Sequence, residues 1–471
     1  MKYQNWRARN ILAHLFILFV FSGVAACTAA PVTPVLQASP VPSPTPSPIP
    51  STTPTPAPPA GVLWVDTSRD LGEISPFALG MNHGPWSEFS PYALEKAIAL
   101  GPTFLRWPGG SWGDQNDIQP LSIATYIGEA SKMGAEPSIT VRLTGSSPEQ
   151  AAALVQLVNN KHGYKVKYWS IGNEPDLYSD VDKSWNPQSY AKRWREFALA
   201  MKAADPSIIL FGPDISDFVG DAGVMGAREY NKQGENKRDY LVEFLKLNAD
   251  LVNIVTVHHY PFPRNSSDNG PSWPELRENA SEWDRVIPNL RRIIKETTGK
   301  DYPVGVTEYN SSASNALGTP TSPDSFYNAL WVADVYGRMI RQRPEILAYW
   351  LAKNSAAGHG LLGSFDTRPT YYPFLMWKKF GNQLLDANSD TQYVSIYAAK
   401  TSDGGLTVML VNLNNQEVRK PLQIKGGDAL KLTDAVLFDA KHKAETITPV
   451  KFRNGGEVTL PAESVTLFIF R

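Results

Sequence analysis

The chain has 471 residues, 42% hydrophobic and 11% aromatic, with 45 Lys+Arg against 46 Asp+Glu and a formal charge of −1. That length exceeds one compact core of ordinary size and predicts a large domain with a smaller companion, while the balanced charge speaks against nucleic acid or a strongly acidic polymer as partner. One cysteine, Cys27, rules out an intramolecular disulfide, so packing alone must hold the fold.

At the N-terminus, Lys2, Arg7 and Arg9 precede an apolar stretch from Ile11 to Val24, and small residues lead to Cys27 in Val24-Ala25-Ala26-Cys27. This is the pattern of a secretory signal, and the run falls short of the ~20 apolar residues that span a bilayer. Its end resembles the bacterial lipobox, which implies cleavage before Cys27, lipidation there, and an exported lipoprotein held at the cell surface or in the periplasm. Residues 28–60 are dominated by Pro, Ser and Thr, as in Pro40-Val41-Pro42-Ser43-Pro44-Thr45-Pro46, a composition that favours extended polyproline II and builds no core. At ~3.1 Å per residue such a spacer reaches on the order of 100 Å.

From residue 61 on, short β-rich runs alternate with amphipathic segments. A first strand, Val62–Asp66 within 61–75, is expected to join the C-terminal domain. Eight strand–helix pairs then follow over 76–388. The strands are Phe77–Asn82, Thr103–Trp107, Pro137–Arg142, Lys167–Ile171, Ile208–Pro213, Asn253–His258, Pro303–Glu308 and Leu347–Leu351. The helices are Pro91–Leu100, Leu121–Met133, Pro148–Asn160, Pro187–Ala204, Arg238–Asn248, Trp273–Thr298, Pro323–Arg341 and Tyr371–Leu384. Ser147, Pro148 and Gln150 have the order of a capping box with Pro at the first helical position. Eight β/α units over this length predict an α/β fold of the (β/α)₈ TIM-barrel type. After it, residues 389–471 read as strands only (Tyr393–Ala399, Leu406–Asn412, Pro421–Lys425, Ala435–Phe438, Val450–Phe452, Ser464–Phe470), the pattern of an all-β sandwich.

Barrels of this type carry chemistry at the C-terminal ends of their strands, and two glutamates stand there at the ends of runs otherwise free of charge. Glu174 follows the fourth strand in Ser170-Ile171-Gly172-Asn173-Glu174-Pro175, and Glu308 closes the seventh in Val306-Thr307-Glu308-Tyr309-Asn310. A carboxylate at the mouth of an apolar strand is costly to desolvate without partners, and its proton affinity is open to tuning. A gap of roughly 5–5.5 Å between the two groups calls for double displacement with retention, and a wider one for inversion.

Asn-Glu-Pro after the fourth strand and Glu at the end of the seventh resemble the clan A retaining glycoside hydrolases over roughly Val62 to Arg471. Leu105-Arg106-Trp107-Pro108-Gly109-Gly110 is similar to a run in α-L-arabinofuranosidases, and Val257-His258-His259-Tyr260 to the sixth-strand motif of the heparanase and β-glucuronidase group. The resemblance implies a glycosidase acting on oligo- or polysaccharide, with Glu174 as acid/base and Glu308 as nucleophile. It further implies that Asn173 bonds the sugar 2-hydroxyl, that Arg106 and Tyr260 hold Glu308 charged and aimed, and that Trp350 is a platform under the reacting ring. An arginine beside a carboxylate favours the charged form a nucleophile needs, whereas an acid must keep its proton. Asn82-His83 stands where arabinofuranosidases usually have Glu-His, and Ser111 where they have Asn; both positions touch substrate in those relatives, so the sugar does not carry over.

Read without the resemblance, His258 and His259 have no companion ligands at metal-site spacing, so no metal or other cofactor is expected and a role at the rim, in structure or in substrate binding, is assigned to His258. Trp86, Trp107 and Trp112 divide evenly between cleft and packing. Asp114, Asp117, Asp176 and Asp214 are read as solvated or capping acids outside the catalytic set. Three functions stay open: an arabinofuranosidase-like hydrolase, with glucuronide- or xyloside-cleaving variants; a transglycosylase; and a surface glycan-binding lipoprotein that lacks turnover.

Overall fold

The computed structural model describes residues 58–220, 231–262, 270–314, 318–448 and 451–471; the leader with Cys27 and nearly all of the 28–60 spacer lie outside the described residues. Among the described residues the strands run β1 (Leu63–Glu73), β2 (Gly80–Asn82), β3 (Phe104–Trp107), β4 (Glu136–Val141), β5 (Tyr168–Ile171) and β6 (Ile209–Ile215). Next come β7 (Ile254–His259), β8 (Val304–Tyr309), β9 (Ile346–Tyr349), β10 (Gln383–Asn388), β11 (Val394–Lys400) and β12 (Leu406–Asn412). The last are β13 (Val418–Lys425), β14 (Leu432–Phe438), β15 (Lys443–Ile447), β16 (Glu457–Leu460) and β17 (Ser464–Phe470).

Strands β2 to β9 pair in parallel, each with the next, and the β2–β9 pair closes the ring into the expected barrel. Alternation along each strand decides what lies inside it. In β3, Phe104 and Arg106 enter the barrel, while Trp107 lies outside and stacks on Tyr126 of the helix Pro120–Met133 at 4.7 Å. Phe104, Tyr168, Phe211, Ile254 and Ile346, at or near the starts of their strands, pack together and plug the bottom. Above them the interior turns polar, with Asn82, Arg106, Thr256 and Thr307 all buried. Helix starts carry their own signals: Ser147 and Gln150 form the expected capping box over Pro148, and Asn186 and Ser272 begin two more.

Three departures from the sequence expectation bear on the site or on the second domain. The long helix over Trp273–Thr298 is two helices, Trp273–Asn279 and Trp283–Thr298, joined by a tight turn that brings Glu282 within 2.7 Å of His259 Nε2. The last barrel helix ends at Lys378, so Gln383–Asn388, expected partly in that helix and wholly in the barrel segment, is strand β10 of the second domain. Its Leu384 and Leu385 are buried by pairing with β1 and β11, a partner choice that local sequence does not encode. The expected strand at Val450–Phe452 is absent where described, Val450 lying outside the described residues, and β15 and β16 flank that position instead.

The second domain is all β, its strands hydrogen-bonded in the order β15-β14-β17-β12-β11-β10-β1-β13-β16. This sheet curls so that Leu63, Val65, Ile396, Val408, Leu422 and Phe468 share one core. As anticipated, the N-terminal strand is part of it, antiparallel to β10 and parallel to β13. The barrel helix Phe326–Arg341 docks on the sheet: Tyr397 donates its hydroxyl to Asp334, 2.5 Å, and Arg341 reaches the carbonyls of Ala387 and Ile396. Gly337 is what allows this approach, since a Cβ there would overlap the Tyr397 ring. Gly337→Ala should therefore lower stability by about 1–3 kcal/mol through overpacking, read as a lower midpoint in thermal or urea unfolding.

Candidate active site

Three backbone irregularities aim the site's acids. Pairing of β8 with β7 slips between Val306 and Glu308, so that Thr307 and Glu308, neighbours in sequence, both turn into the barrel. A similar slip between Pro213 and Ile215 in β6, with Asp214 at φ 56°, turns the Asp214 carboxylate inward. Glu174 also has a left-handed backbone, φ 48° and ψ 58°, although a following proline favours extended geometry. Such conformations persist where surrounding structure holds them, and here the Glu174 N–H donates to the Asp214 carbonyl at 3.1 Å.

Glu308 is nearly enclosed, and donors converge on both of its oxygens. Arg106 Nη1 (2.7 Å) and the Gly110 N–H (3.0 Å) reach Oε1, and the Tyr260 hydroxyl donates to Oε2 at 2.8 Å. Gly110 is at φ 63°, and a Cβ there would run into the Trp350 indole, so glycine alone presents this N–H without displacing the ring. Burial, then the charge of Glu308, pushes the Tyr260 phenol well above its ordinary value, so it stays a donor. Glu174 is more open, its side chain 17% exposed against 4% for Glu308, and its Oε1 lies 3.1 Å from His258 Nδ1.

Arg106 organises the floor. Besides Glu308, Nη1 meets Asn82 Oδ1 at 3.0 Å, while Nη2 meets Asn173 Oδ1 at 2.8 Å and Asp214 Oδ2 at 3.3 Å. Burial works against its charge, but Asp214 and Glu308 outweigh that and raise its pKa. Burial lowers that of His258, which leaves the imidazole neutral near pH 7.

Placement of the sequence-selected residues is uneven. Arg106, Glu308, Asn173 and Tyr260 form one hydrogen-bonded cluster at the strand ends, and the Glu174–His258 pair lies against it, His258 Nδ1 being 3.8 Å from Glu308 Oε2. Asn82, expected to touch substrate, is instead enclosed beneath it: its amide donates to the carbonyls of Thr307 (2.8 Å) and Ala348 (3.0 Å), and its oxygen accepts from Arg106. His83 is likewise buried, stacked on Phe89 with Nε2 3.4 Å from Glu129. Ser111, by contrast, is exposed next to Gly110. Trp350 lies against Gly109 and Gly110 and 6.1 Å from Trp86, which is 6.3 Å from Trp112; these three indoles line the mouth, while Trp107 is packing.

The reading of the aspartates as solvated or capping acids holds for exposed Asp117 and fails for Asp114, Asp176 and Asp214, all buried. Asp114 accepts the N–H groups of Leu143 and Asn173 and the Tyr178 hydroxyl, Asp176 binds Ser216, and Asp214 joins Arg106, Thr256 and Thr307. Asp214 showed the same signal as the glutamates, an acid closing the uncharged run Ile208-Ile209-Leu210-Phe211-Gly212-Pro213 at a strand end. Among the described residues, Glu174, His258 and Glu308 bring one ligand-type atom each within 4.8 Å of one another. The guanidinium of Arg106 on Glu308 opposes a cation there.

No protein-family model matches the chain. It is 22% identical over 270 residues to a β-xylosidase of Geobacillus stearothermophilus, covering 53% of this chain and 48% of that protein. To a probable α-L-arabinofuranosidase C of Aspergillus niger it is 21% identical over 337 residues, 60% of this chain and 63% of the other. The chain thus spans between about half and two thirds of the length of these relatives. Among solved structures, a family 51 arabinofuranosidase from Xanthomonas axonopodis pv. citri superposes with a TM-score of 0.66 at 17% identity, over 87% of this chain and 100% of that one. A family 44 xyloglucanase from Paenibacillus polymyxa gives 0.66 at 14%, over 87% and 99%. The chain therefore has the fold of the clan A glycoside hydrolases and resembles arabinofuranosidases and a β-xylosidase in sequence.

Proposed function

We propose that this chain is a retaining glycoside hydrolase in which Glu308 is the nucleophile and Glu174 the acid/base, acting on arabinofuranosyl residues of an oligo- or polysaccharide. The observation that carries the reading is the asymmetry of the two carboxyl groups. Glu308 is gripped by a guanidinium, a backbone N–H and a phenol, the environment of an aimed anion. Glu174 is more open and meets a neutral imidazole, an environment that accommodates gain and loss of a proton. Oxygens of the two within 4.8 Å suit direct attack, where carboxyl groups stand roughly 5–5.5 Å apart; a water between them calls for about 6.5–9.5 Å.

In this mechanism Glu174 protonates the departing glycosidic oxygen while Glu308 attacks the anomeric carbon from the opposite face. The resulting carboxylate of Glu174 then takes a proton from water, which displaces Glu308 and restores the original configuration. Asn173 fits the sugar 2-hydroxyl: its oxygen is taken by Arg106, whereas its Nδ2 is buried and has no hydrogen-bond partner among the described residues. Trp350 is the platform for the reacting ring, extended by Trp86 and Trp112. A xyloside is the second reading, favoured by the similarity to a β-xylosidase. Export and lipidation at Cys27 are part of the proposal, on the strength of the leader pattern.

The test is a panel of aryl glycosides, arabinofuranoside and xyloside first, with the configuration of the first-formed product followed by NMR. The expected product has the configuration of the substrate. An inverted product overturns the mechanism, and binding without turnover across the panel overturns the activity.

A further inference from the structure

Asp214 takes no part in the bond-making just described, yet it is wired to every group that does. Oδ1 accepts the hydroxyls of Thr256 on β7 and Thr307 on β8, at 2.5 Å each, and Oδ2 faces Arg106 of β3 at 3.3 Å. The other ionisable groups around it are His258 on β7, Glu308 on β8 beyond Arg106, Glu174 through its backbone N–H, Tyr190 from the helix Pro187–Ala204, and Asp114 and Asp176 farther out. Burial alone raises the pKa of Asp214, but Arg106 foremost, then His258 and the two hydroxyls, outweigh it, so the group is a carboxylate.

His258 connects this charge to Glu174. Its Nδ1 lies 3.1 Å from Glu174 Oε1 and 3.8 Å from Glu308 Oε2, and its Nε2 is buried, has no hydrogen-bond partner among the described residues, and lies 3.8 Å from Asp214 Oδ1. A neutral imidazole has one N–H to place. On Nε2 that N–H points at an anion; on Nδ1 it leaves the Nε2 lone pair facing the same anion. The Glu308 carboxylate near Nδ1 pulls the other way, but Arg106 lies closer to it, 2.7 Å against 3.3 Å for Asp214, and offsets more of its charge; the first arrangement is therefore favoured, and it presents the Nδ1 lone pair to Glu174, which can fill it only as the protonated acid.

We propose that Asp214 is a positioning residue for the acid/base: its charge holds the His258 proton on Nε2, so that Nδ1 accepts the proton of Glu174 and keeps that carboxyl in its acid form between turnovers. This rests on the reading of Glu174 as acid/base. It makes Asp214 part of what sets the upper end of the pH range in which the enzyme works.

Asp214→Asn keeps the size of the side chain and removes its charge. Loss of a nearby negative charge favours the ionised form of Glu174, and so does an imidazole proton released to Nδ1. The high-pH limb of kcat/KM should thus move down by about one pH unit. A substrate with a good leaving group, which needs little acid assistance, should show less of that loss. In the resting protein, ¹⁵N NMR of His258, assigned by its disappearance in His258→Gln, should show Nε2–H in the wild type and Nδ1–H in Asp214→Asn. If Asp214→Asn does not fold, Thr256→Val retains the charge with one donor fewer and should move the limb upward. An unmoved limb in the variant that folds, or Nδ1–H in the wild type, overturns the proposal. A wild type inactive on every glycoside overturns the functional reading instead, and the tautomer then still decides this one.

Discussion

Glu308→Ala is expected to lower turnover of every glycoside on the order of 10⁴-fold or more, whatever the leaving group, because without the nucleophile no glycosyl-enzyme forms. Glu174→Ala should behave differently. Acid assistance contributes roughly 10²–10⁴-fold, so substrates with poor leaving groups should lose about that much, while aryl glycosides with acidic phenols should form the glycosyl-enzyme nearly as before and then accumulate it. Azide sharpens the contrast, since it needs no deprotonation to attack. In Glu174→Ala it should intercept the glycosyl-enzyme and yield a glycosyl azide with the configuration of the substrate, two inversions in sequence. In Glu308→Ala it can occupy the vacated space and attack the substrate directly, which yields the opposite anomer. Steady-state rates on a leaving-group series, with the configuration of the azide products, measure both. Equal losses in the two variants, or exchanged azide products, would reverse or dismiss the assignment of roles.

Replacing Arg106 by Met should be the most destabilising single change in the site, costing about 3–5 kcal/mol, because it strands two buried carboxylates rather than merely removing a contact. Glu308 and Asp214 both depend on this guanidinium, and both are almost fully buried. Against a typical total of roughly 5–15 kcal/mol, such a loss leaves little margin. The pairing makes a specific prediction about the double variant. Arg106→Met with Asp214→Asn removes one of the two stranded charges and should recover part of the loss, so the combined effect is smaller than the sum of the two single effects. Urea unfolding of the four proteins measures the coupling. Additive effects would show that Arg106 and Asp214 act independently, against the network described here.

The barrel was legible because its signals are local and repeated. A barrel strand needs a short apolar run, and the helix after it needs a cap and an apolar face; Ser147-Pro148-Glu149-Gln150 states such a start in four residues. The strand Gln383–Asn388 shows where that logic ends. Leu384 and Leu385 are equally apolar in a helix or a strand, and only pairing with β1, more than three hundred residues earlier, selects the strand. Locally, Gln383 and Leu384 extend the helix expected over Tyr371–Leu384.

In the site, the chain's own order placed Glu174, Glu308 and Asp214 alike at the C-terminal ends of barrel strands, wherever the rest of the molecule lies. It also carried Arg106 and Tyr260, through motifs whose side chains then meet Glu308. The depth of each residue belongs to the tertiary structure. Asn82 and Asp214 both stand at strand ends; one is consumed by backbone carbonyls and Arg106, and the other is turned inward by a slip in register that no pattern of residue types announces. Strand-end position is a property of sequence because the chain is linear. Burial and hydrogen-bond partnership are decided by segments scores to hundreds of residues away. Which acids stand at the strand ends was therefore set by sequence, and which of them face the mouth, and which lie beneath it, was settled only when the barrel closed.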